Sequence, residues 1–516
     1  MQQIPVIELN TNLQETNVGL KAASDLLQSL NARGIRYCLW KSNIRQAEGM
    51  SGETDLDLLI DREQSTAFRQ VLHQHNVKPF HAAPGRHYPA VENHLGFDEA
   101  TGRLFHLHVH YQLVLGEQFV KNYRLPLEDH FLDSVQLRYG AKLPSPELEI
   151  IILSIRILLK YRDRDLRRDI LPYRSTGIST GFRKEIHWLL EQTNRERIEQ
   201  TLAEISEIVP GDLILEFLDI VLTGRKAGFK LYDLRNRIRR RLSLFQRTNP
   251  FAAILRYFGE MWDRRKFLRS SPVTKMTLPA GGLTLALIGA DGAGKSTLCK
   301  ALTKWLSWKL DTRVYYLGSK LPSRRSKSIY SVYRMSRRLH QVLAGVLGEK
   351  NLVCQPFAGL RDILLYWHHV SLAQDRYERY LAGMKRSMAG SVVIFDRYPL
   401  ESLDSQIGVG RMDGSKIAGM LNENSGAVAR FLARTESALY DKIRPPDYLA
   451  ILNVSPEVSL KRKPDHKQDV VEAKSQLIKQ MIGLADSKNI RSIHLNADLP
   501  YEEVFLQLKR KIWEIL

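Results

Sequence analysis

The chain has 516 residues, 44% of them hydrophobic and 26% charged, which is the apolar supply of a folded protein and, at ~100–200 residues per domain, more than one domain's length. No apolar run approaches the about 20 residues a bilayer span needs, and the opening MQQIPVIELNTNLQET lacks the basic start and apolar middle of a signal peptide. Three scattered cysteines (Cys38, Cys299, Cys354) frame neither disulfides nor a zinc site, so a cytoplasmic protein with reduced thiols is expected.

The first 145 residues mix short β-like runs (YCLW, DLDLLI, LFHLHVHYQL) with polar turns. In DLDLLI, Asp55 and Asp57 are two residues apart on a strand, which projects both carboxylates from one face. They read either as solvated carboxylates at a strand end or as metal ligands. LFHLHVHYQL places His106, His108 and His110 on one face with no acid, either a polar strand face or a site for a metal softer than magnesium. Together, YCLWKSN and GETDLDLLID resemble the opening of a nucleotidyltransferase fold. The resemblance implies an α+β nucleotidyltransferase-like domain over 1–145, with Lys41-Ser42-Asn43 on a triphosphate. It also implies Asp55 and Asp57 as ligands of two Mg²⁺ ions about 3.5–4 Å apart. A third carboxylate belongs on a later strand in that superfamily, and LFHLHVHYQL offers none.

From 146 to 270 the spacing predicts a helical domain: PELEIIILSIRILLKY and IHWLLEQTNRERIEQTLAEISEIV carry apolar residues at helical intervals. Between Arg225 and Lys275 stand fifteen Lys or Arg against three acids, a local +12 out of the chain's formal +20. Leu231, Leu234, Ile238, Leu242 and Phe245 fall on one helical face, while Arg235, Arg237, Arg239, Arg240 and Arg241 occupy the rest. Phe251, Leu255, Phe258 and Trp262 continue the apolar face after Pro250. Such segments either lie on an anionic membrane surface or a polyanion, or form core helices with a solvated arginine face, the reading adopted here. SSPVTKMTLPAGG then marks a linker at about 271–282.

From 283 to 516 strands and helices alternate, the pattern of a parallel α/β sheet. The apolar run LTLALI leads into GADGAGKST and then into the helical TLCKALTKWLSWKL. This is the G-x-x-x-x-G-K-[ST] loop in its required strand–loop–helix setting. Gly289, Gly292 and Gly294 let backbone N–H groups turn inward on phosphate oxygens, and Asp291 and Thr297 complete the nucleotide-binding stretch. Lys295 is placed to reach the β- and γ-phosphates of ATP and Ser296 to hold Mg²⁺.

Farther along, LAQDRYERYLAGMKRSMAG, VVIFDRYPLESLDSQ and PPDYLAILNVSPEVSLKRK follow in order. With the loop they resemble the thymidylate kinase family over most of 283–516. The resemblance implies a P-loop kinase with a parallel sheet and flanking helices, using ATP and Mg²⁺. Asp291 and Arg376 then face the acceptor. Asp396 binds magnesium or its water shell, and Arg397 grips the acceptor phosphate bidentately. Ser402 and Gln406 sit at matching offsets, and Lys461, Arg462, Lys463 and Lys467 are cations of a closing lid. Lys295, Asp396, Arg397 and Arg462 form the expected catalytic set.

The sequence departs from the family after its second strand. TRVYYLGSKLPSRRSK replaces an Arg-Glu-Pro turn, and a basic insertion runs from about Lys320 to Lys350. Seven basic residues and no acid lie between Lys320 and His340, placed to meet a phosphate-rich acceptor. The expected activity is ATP-dependent phosphorylation of a nucleoside monophosphate or related phosphorylated sugar. A kinase acting on nucleic acid or a lipid-linked glycan, and an ATP-driven switch without transfer, remain the alternatives, and a homodimer is compatible with each.

Overall fold

Leucines alternating with carboxylates in DLDLLI, and apolar residues alternating with imidazoles in RLFHLHVH, form neighbouring strands with one oily and one polar face. In the computed structural model, β1 (Tyr37–Leu39), β2 (Asp55–Ile60), β3 (Lys78–Phe80), β4 (Val91–Asp98) and β5 (Arg103–His110) make one mixed sheet. Its order is β1-β2-β5-β4-β3. β2 and β5 run parallel with Asp55 opposite His106 and Asp57 opposite His108, while the remaining pairs are antiparallel. The structure describes residues 19–117, 119–138, 140–170, 178–223, 228–267, 273–318, 320–348, 351, 354–399, 401, 414–423, 425–465, 467–487 and 490–516. Ser402 and Gln406 lie outside them.

The chain divides into two compact units, Met1–Pro272 and Val273–Leu516. Within the first, the oily sheet face (Leu56, Leu58, Leu107, Val109) packs on Leu26, Leu27, Leu30 and Phe68 of the Lys21–Ala32 and Ser65–Gln74 helices. A second core takes Cys38, Trp40 and Leu59 from the strands together with β6 (Leu113–Leu115) and β7 (Tyr123–Leu125). Its centre is the Pro146–Lys160 helix, buried at every position from Pro146 to Leu159. Ser145 caps that helix, its hydroxyl accepting from the Leu148 N–H at 3.3 Å, and Pro146 supplies a preset φ at the first turn. A helix apolar all round must be wrapped on all sides. The later helices Thr180–Leu190, Gly211–Leu222 and Gly228–Arg241 wrap it, so the strands and the helical segment share one core. A short hairpin, β8 (Gln136–Arg138) and β9 (Ala141–Leu143), precedes it.

The two basic segments differ. Leu231, Leu234, Ile238 and Leu242 are buried, matching the core-helix reading. Some of the arginines are tied down rather than solvated: Arg235 donates to the Tyr161 carbonyl at 3.2 Å and Arg239 to that of Leu159 at 3.2 Å. In the Pro250–Phe267 helix the reading fails, since Phe251, Leu255, Phe258 and Trp262 are 56–69% exposed. Helical spacing reveals that an apolar stripe exists but not what covers it.

In the second unit β10 (Leu283–Gly289), β11 (Thr312–Tyr316), β12 (Val392–Asp396), β13 (Tyr448–Asn453) and β14 (Ser492–Asn496) form an all-parallel sheet in order β11-β12-β10-β13-β14. The near-continuous apolar runs LTLALIG and VVIFD are what a sheet covered on both faces requires. The chain moves from β10 past β12 to β11, returns, and then crosses to β13. The order therefore reverses at β10, whose carboxyl end is where such sheets hold ligands. The basic insertion becomes the Arg324–Leu347 helix, packed along the Cys354–Met388 helix. Among the described residues no helix is long and apolar enough to cross a membrane.

Candidate functional site

At the carboxyl end of β10 the backbone passes through Gly292 and Gly294, at φ +82° and +86°, before the Lys295–Leu306 helix begins. Side chains with a Cβ resist that left-handed conformation, which makes glycine the residue for this curl. Lys295 folds back over it, its Nζ donating to the carbonyls of Gly289 at 2.7 Å and Ala290 at 2.8 Å. Ser296 and Thr297 are exposed on the first helical turn, where the helix dipole favours an anion.

Residues from the end of the chain close round the loop. Arg462 donates to the Gly292 carbonyl at 3.4 Å and to that of Ala497 at 2.8 Å. Ser459 Oγ donates to the Asp291 carbonyl at 2.6 Å. The Asp291 carboxylate is paired with Lys474. Burial pushes the Asp291 carboxyl up, but the Lys474 hydrogen bond and charge, with help from Lys295 and Lys463, hold it below the usual range. Lys474 carries no sequence signal: it stands in the Gln468–Ser487 helix, 183 residues beyond its partner.

Asp396 ends β12, in register with Leu287 of β10 and Tyr316 of β11. Its Oδ1 is buried and has no hydrogen-bond partner among the described residues. The Cys299 thiol, on the helix after the loop, is pushed up to about 12 by burial and by the nearby Asp396 charge. Arg397 follows at φ +58°, a left-handed backbone that a non-glycine residue adopts only under constraint, and it crowds Gly318 beyond β11.

The other acceptor candidate has a separate setting. Arg376 is 4% exposed, with its guanidinium 5.5 Å from the Tyr440 ring centroid. Its neighbour Asp375 is bound into the insertion, accepting from the Ser323 N–H at 2.8 Å, from Ser326 Oγ at 2.6 Å and from Arg325 at 3.2 Å. Arg325 is thus drawn to Asp375 and Glu378, while Arg324, Lys327, Arg334, Arg337 and Arg338 remain exposed.

Asp55 and Asp57 stand in the other unit. His106 Nδ1 lies 2.8 Å from Asp55 Oδ1, and its Nε2 lies 3.1 Å from Asn93 Oδ1. Asp57 Oδ1 is shared by the Lys41 ammonium and by His108 Nδ1 at 2.8 Å, with His110 Nε2 3.2 Å from the same nitrogen. Burial pushes the His108 imidazole down to about 4 and holds that of His110 well below its usual range, which favours the neutral ring in each. Ligand atoms of Asp57, His108 and His110 lie within 4.8 Å of one another. For magnesium the donor set fits poorly: Mg²⁺ takes oxygen ligands, imidazole suits softer metals, and an ammonium already holds the carboxylate oxygen.

The strand–loop–helix and the parallel sheet, with the sequence likeness below, mark a P-loop kinase-like region over about 45% of the chain. No protein-family model matches the chain. It is similar to the uncharacterized ATP-binding protein YghR of Escherichia coli (strain K12), 25% identical over 236 residues, covering 44% of this chain and 86% of that protein. It is also similar to the probable thymidylate kinase 2 of Saccharolobus solfataricus, 25% identical over 234 residues, with 45% of this chain and 81% of that protein covered. Among solved structures, deoxyadenosine kinase from M. mycoides with bound dATP aligns at 14% identity and a TM-score of 0.27, over 45% of this chain and 98% of that one.

Proposed function

We propose that the Val273–Leu516 unit transfers the γ-phosphoryl group of ATP to a nucleoside monophosphate or a related phosphorylated sugar. The observation that carries this reading is the juxtaposition of the glycine-rich loop and its lysine with the buried Asp396 Oδ1, without a hydrogen-bond partner among the described residues, at the end of the adjacent strand. The relatives named as an ATP-binding protein and a probable thymidylate kinase support it.

Phosphoryl transfer asks little covalent chemistry of a protein and much positioning and charge neutralisation. The loop N–H groups and the N-terminal turn of the Lys295–Leu306 helix cradle the donor phosphates. Lys295 exchanges its two carbonyl contacts for the transferring group. Arg462, tethered to the loop through Gly292, adds charge from the side of the chain end. Arg397 orients the acceptor phosphate as a planar fork, and Arg376 and Asp291 serve the acceptor side. Ser296 and Asp396 would hold Mg²⁺, which the Asp396 oxygen fits as a hard donor without a hydrogen-bond partner among the described residues. That ion supplies charge neutralisation on the phosphates.

Steady-state ADP release across nucleoside monophosphates, sugar phosphates and DNA tests the reading. Turnover stimulated by a phosphorylated small acceptor is expected. Turnover indifferent to every acceptor, or stimulated by DNA alone, would replace it with a switch or with a nucleic-acid kinase.

A further inference from the structure

Four cations converge on the polar face of the first unit's sheet. Lys41 follows β1, Arg156 and Lys160 stand at helical spacing on one face of the Pro146–Lys160 helix, and Lys121 lies in the loop before β7. Lys41 and Arg156 both approach the Trp40 ring, at 4.4 Å and 5.8 Å from its centroid, and His110 meets the same ring at 5.0 Å. Among the described residues only Lys41 of the four forms an ion pair with a carboxylate, that of Asp57. Arg156 is 7% exposed, and its Nη1 is buried without a hydrogen-bond partner among the described residues. Lys121 and Lys160 contact ring faces, 4.5 Å from Tyr88 and 6.0 Å from Phe182, and make no ion pair among the described residues. Lys160 is exposed at the rim, so the cluster opens to solvent there.

A buried guanidinium nitrogen without a hydrogen bond is costly to hold. Glu185 and Glu149 lie close enough to feel the Arg156 charge and offset part of it. Burial pushes Glu149 up to about 7 and raises Glu185 as well. Glu149 is occupied by the loop after β1, accepting from the Asn43 N–H at 3.2 Å and from Asn43 Nδ2 at 2.9 Å, while Glu185 Oε1 is buried without a hydrogen-bond partner among the described residues. The Asn43 donors are therefore spent, and the side-chain cations are the donors left for a ligand. Burial and the neighbouring cations push Lys121 down to about 7, as crowding of like charge requires.

We propose that Arg156, Lys121 and Lys160 form a metal-independent binding site for a phosphate-bearing anion, with Lys41 standing on Asp57 where a metal ion would otherwise sit. The departure from two-metal chemistry is then systematic: each carboxylate of the D-x-D pair is matched by a cross-strand histidine, and the counter-charge for phosphate comes from the helix. The inference concerns the first unit alone and stands whether or not the kinase reading holds.

The test is calorimetric titration of the full chain with inorganic pyrophosphate in EDTA, in a Lys295→Ala background that silences the phosphate loop. One binding event is expected without divalent metal, weakened at least about tenfold by Arg156→Gln, since hydrogen bonds to charged groups carry that much. Arg156→Gln should also lose most of the pyrophosphate-induced rise in Tm that its parent shows. Lys160→Gln, at the exposed rim, provides a variant with little folding risk and should weaken binding several-fold. Repeating the titration with ATP in EDTA distinguishes a nucleotide from a free phosphate anion as the source of the chemistry. Absence of pyrophosphate binding in EDTA, binding that requires Mg²⁺, or binding unchanged by both variants would overturn the proposal.

Discussion

The phosphate loop of the second unit lies at a strand end and the Asp–His–Lys cluster of the first on a strand face, and the two are assembled over different distances. Lys295 reaches its carbonyl partners five and six residues away. His108 meets Asp57 across 51 residues, and Asn43 meets Glu149 across 106. A site made of consecutive residues takes its shape from backbone conformation and tolerates change around it. A site made of remote side chains is only as well formed as the core that aligns them. The first unit's cluster depends on the Pro146–Lys160 helix being held in place, whereas the loop needs little beyond two glycines and the start of a helix.

The sharpest way to break this contrast is Lys295→Ala. It should lower ADP release ~10²–10³-fold, the usual cost of removing one charge clamp on a developing transition state. The circular dichroism spectrum should be unchanged, and a folded variant with near-normal turnover would remove the phosphate loop from the reaction. On the other side of the comparison, Leu153→Ala hollows the fully buried middle of the Pro146–Lys160 helix. Stability of that unit should fall by about 2–5 kcal/mol in a urea titration. A loss within experimental error would mean that the helix is not what aligns the cluster.

Smaller effects sharpen the picture. Arg397→Ala and Arg376→Ala should raise the acceptor KM or lower kcat while ATP affinity stays within about threefold of the parent. Collapse of ATP binding would move both arginines to the donor side. Glu149 gives a pH signature of the first unit. Its folded pKa of about 7, raised by burial against the opposing Asn43 hydrogen bonds, exceeds the ordinary 4.5. Below the ordinary value the proton is bound in both states. Between the two values only the folded state keeps it, so stability falls as pH rises through that window. Glu149→Gln should flatten the fall in urea titrations at several pH values, and an unchanged slope would assign the dependence to other groups.

Sequence and structure agree most closely where chemistry is local. LTLALI, the glycine loop and the following helix were readable because strand, turn and helix each have their own pattern within some two dozen residues. The alternation in DLDLLI and RLFHLHVH placed carboxylates and imidazoles on strand faces. Nothing in either run says that the strands are neighbours, so the Asp55–His106 and Asp57–His108 pairings were out of reach. Lys474 escaped for the same reason. Asp375 was visible as part of a D-R pair, yet its partners Ser323 and Ser326 belong to an insertion with no pattern to match. The Phe251–Trp262 stripe was misjudged because helical periodicity is the same whether a face is covered or bare.

The parallel pairing of β2 with β5 also bears on how the chain reaches its fold. Parallel strands joined by a long connection are slow to find each other, and a slip of one residue reverses every side chain between the two faces. Here such a slip would set Asp55 and Asp57 against Leu107 and Val109 and press the imidazoles on leucines. The polar–apolar alternation along this ladder therefore makes the native register the one that keeps acids on imidazoles and leucines in the core.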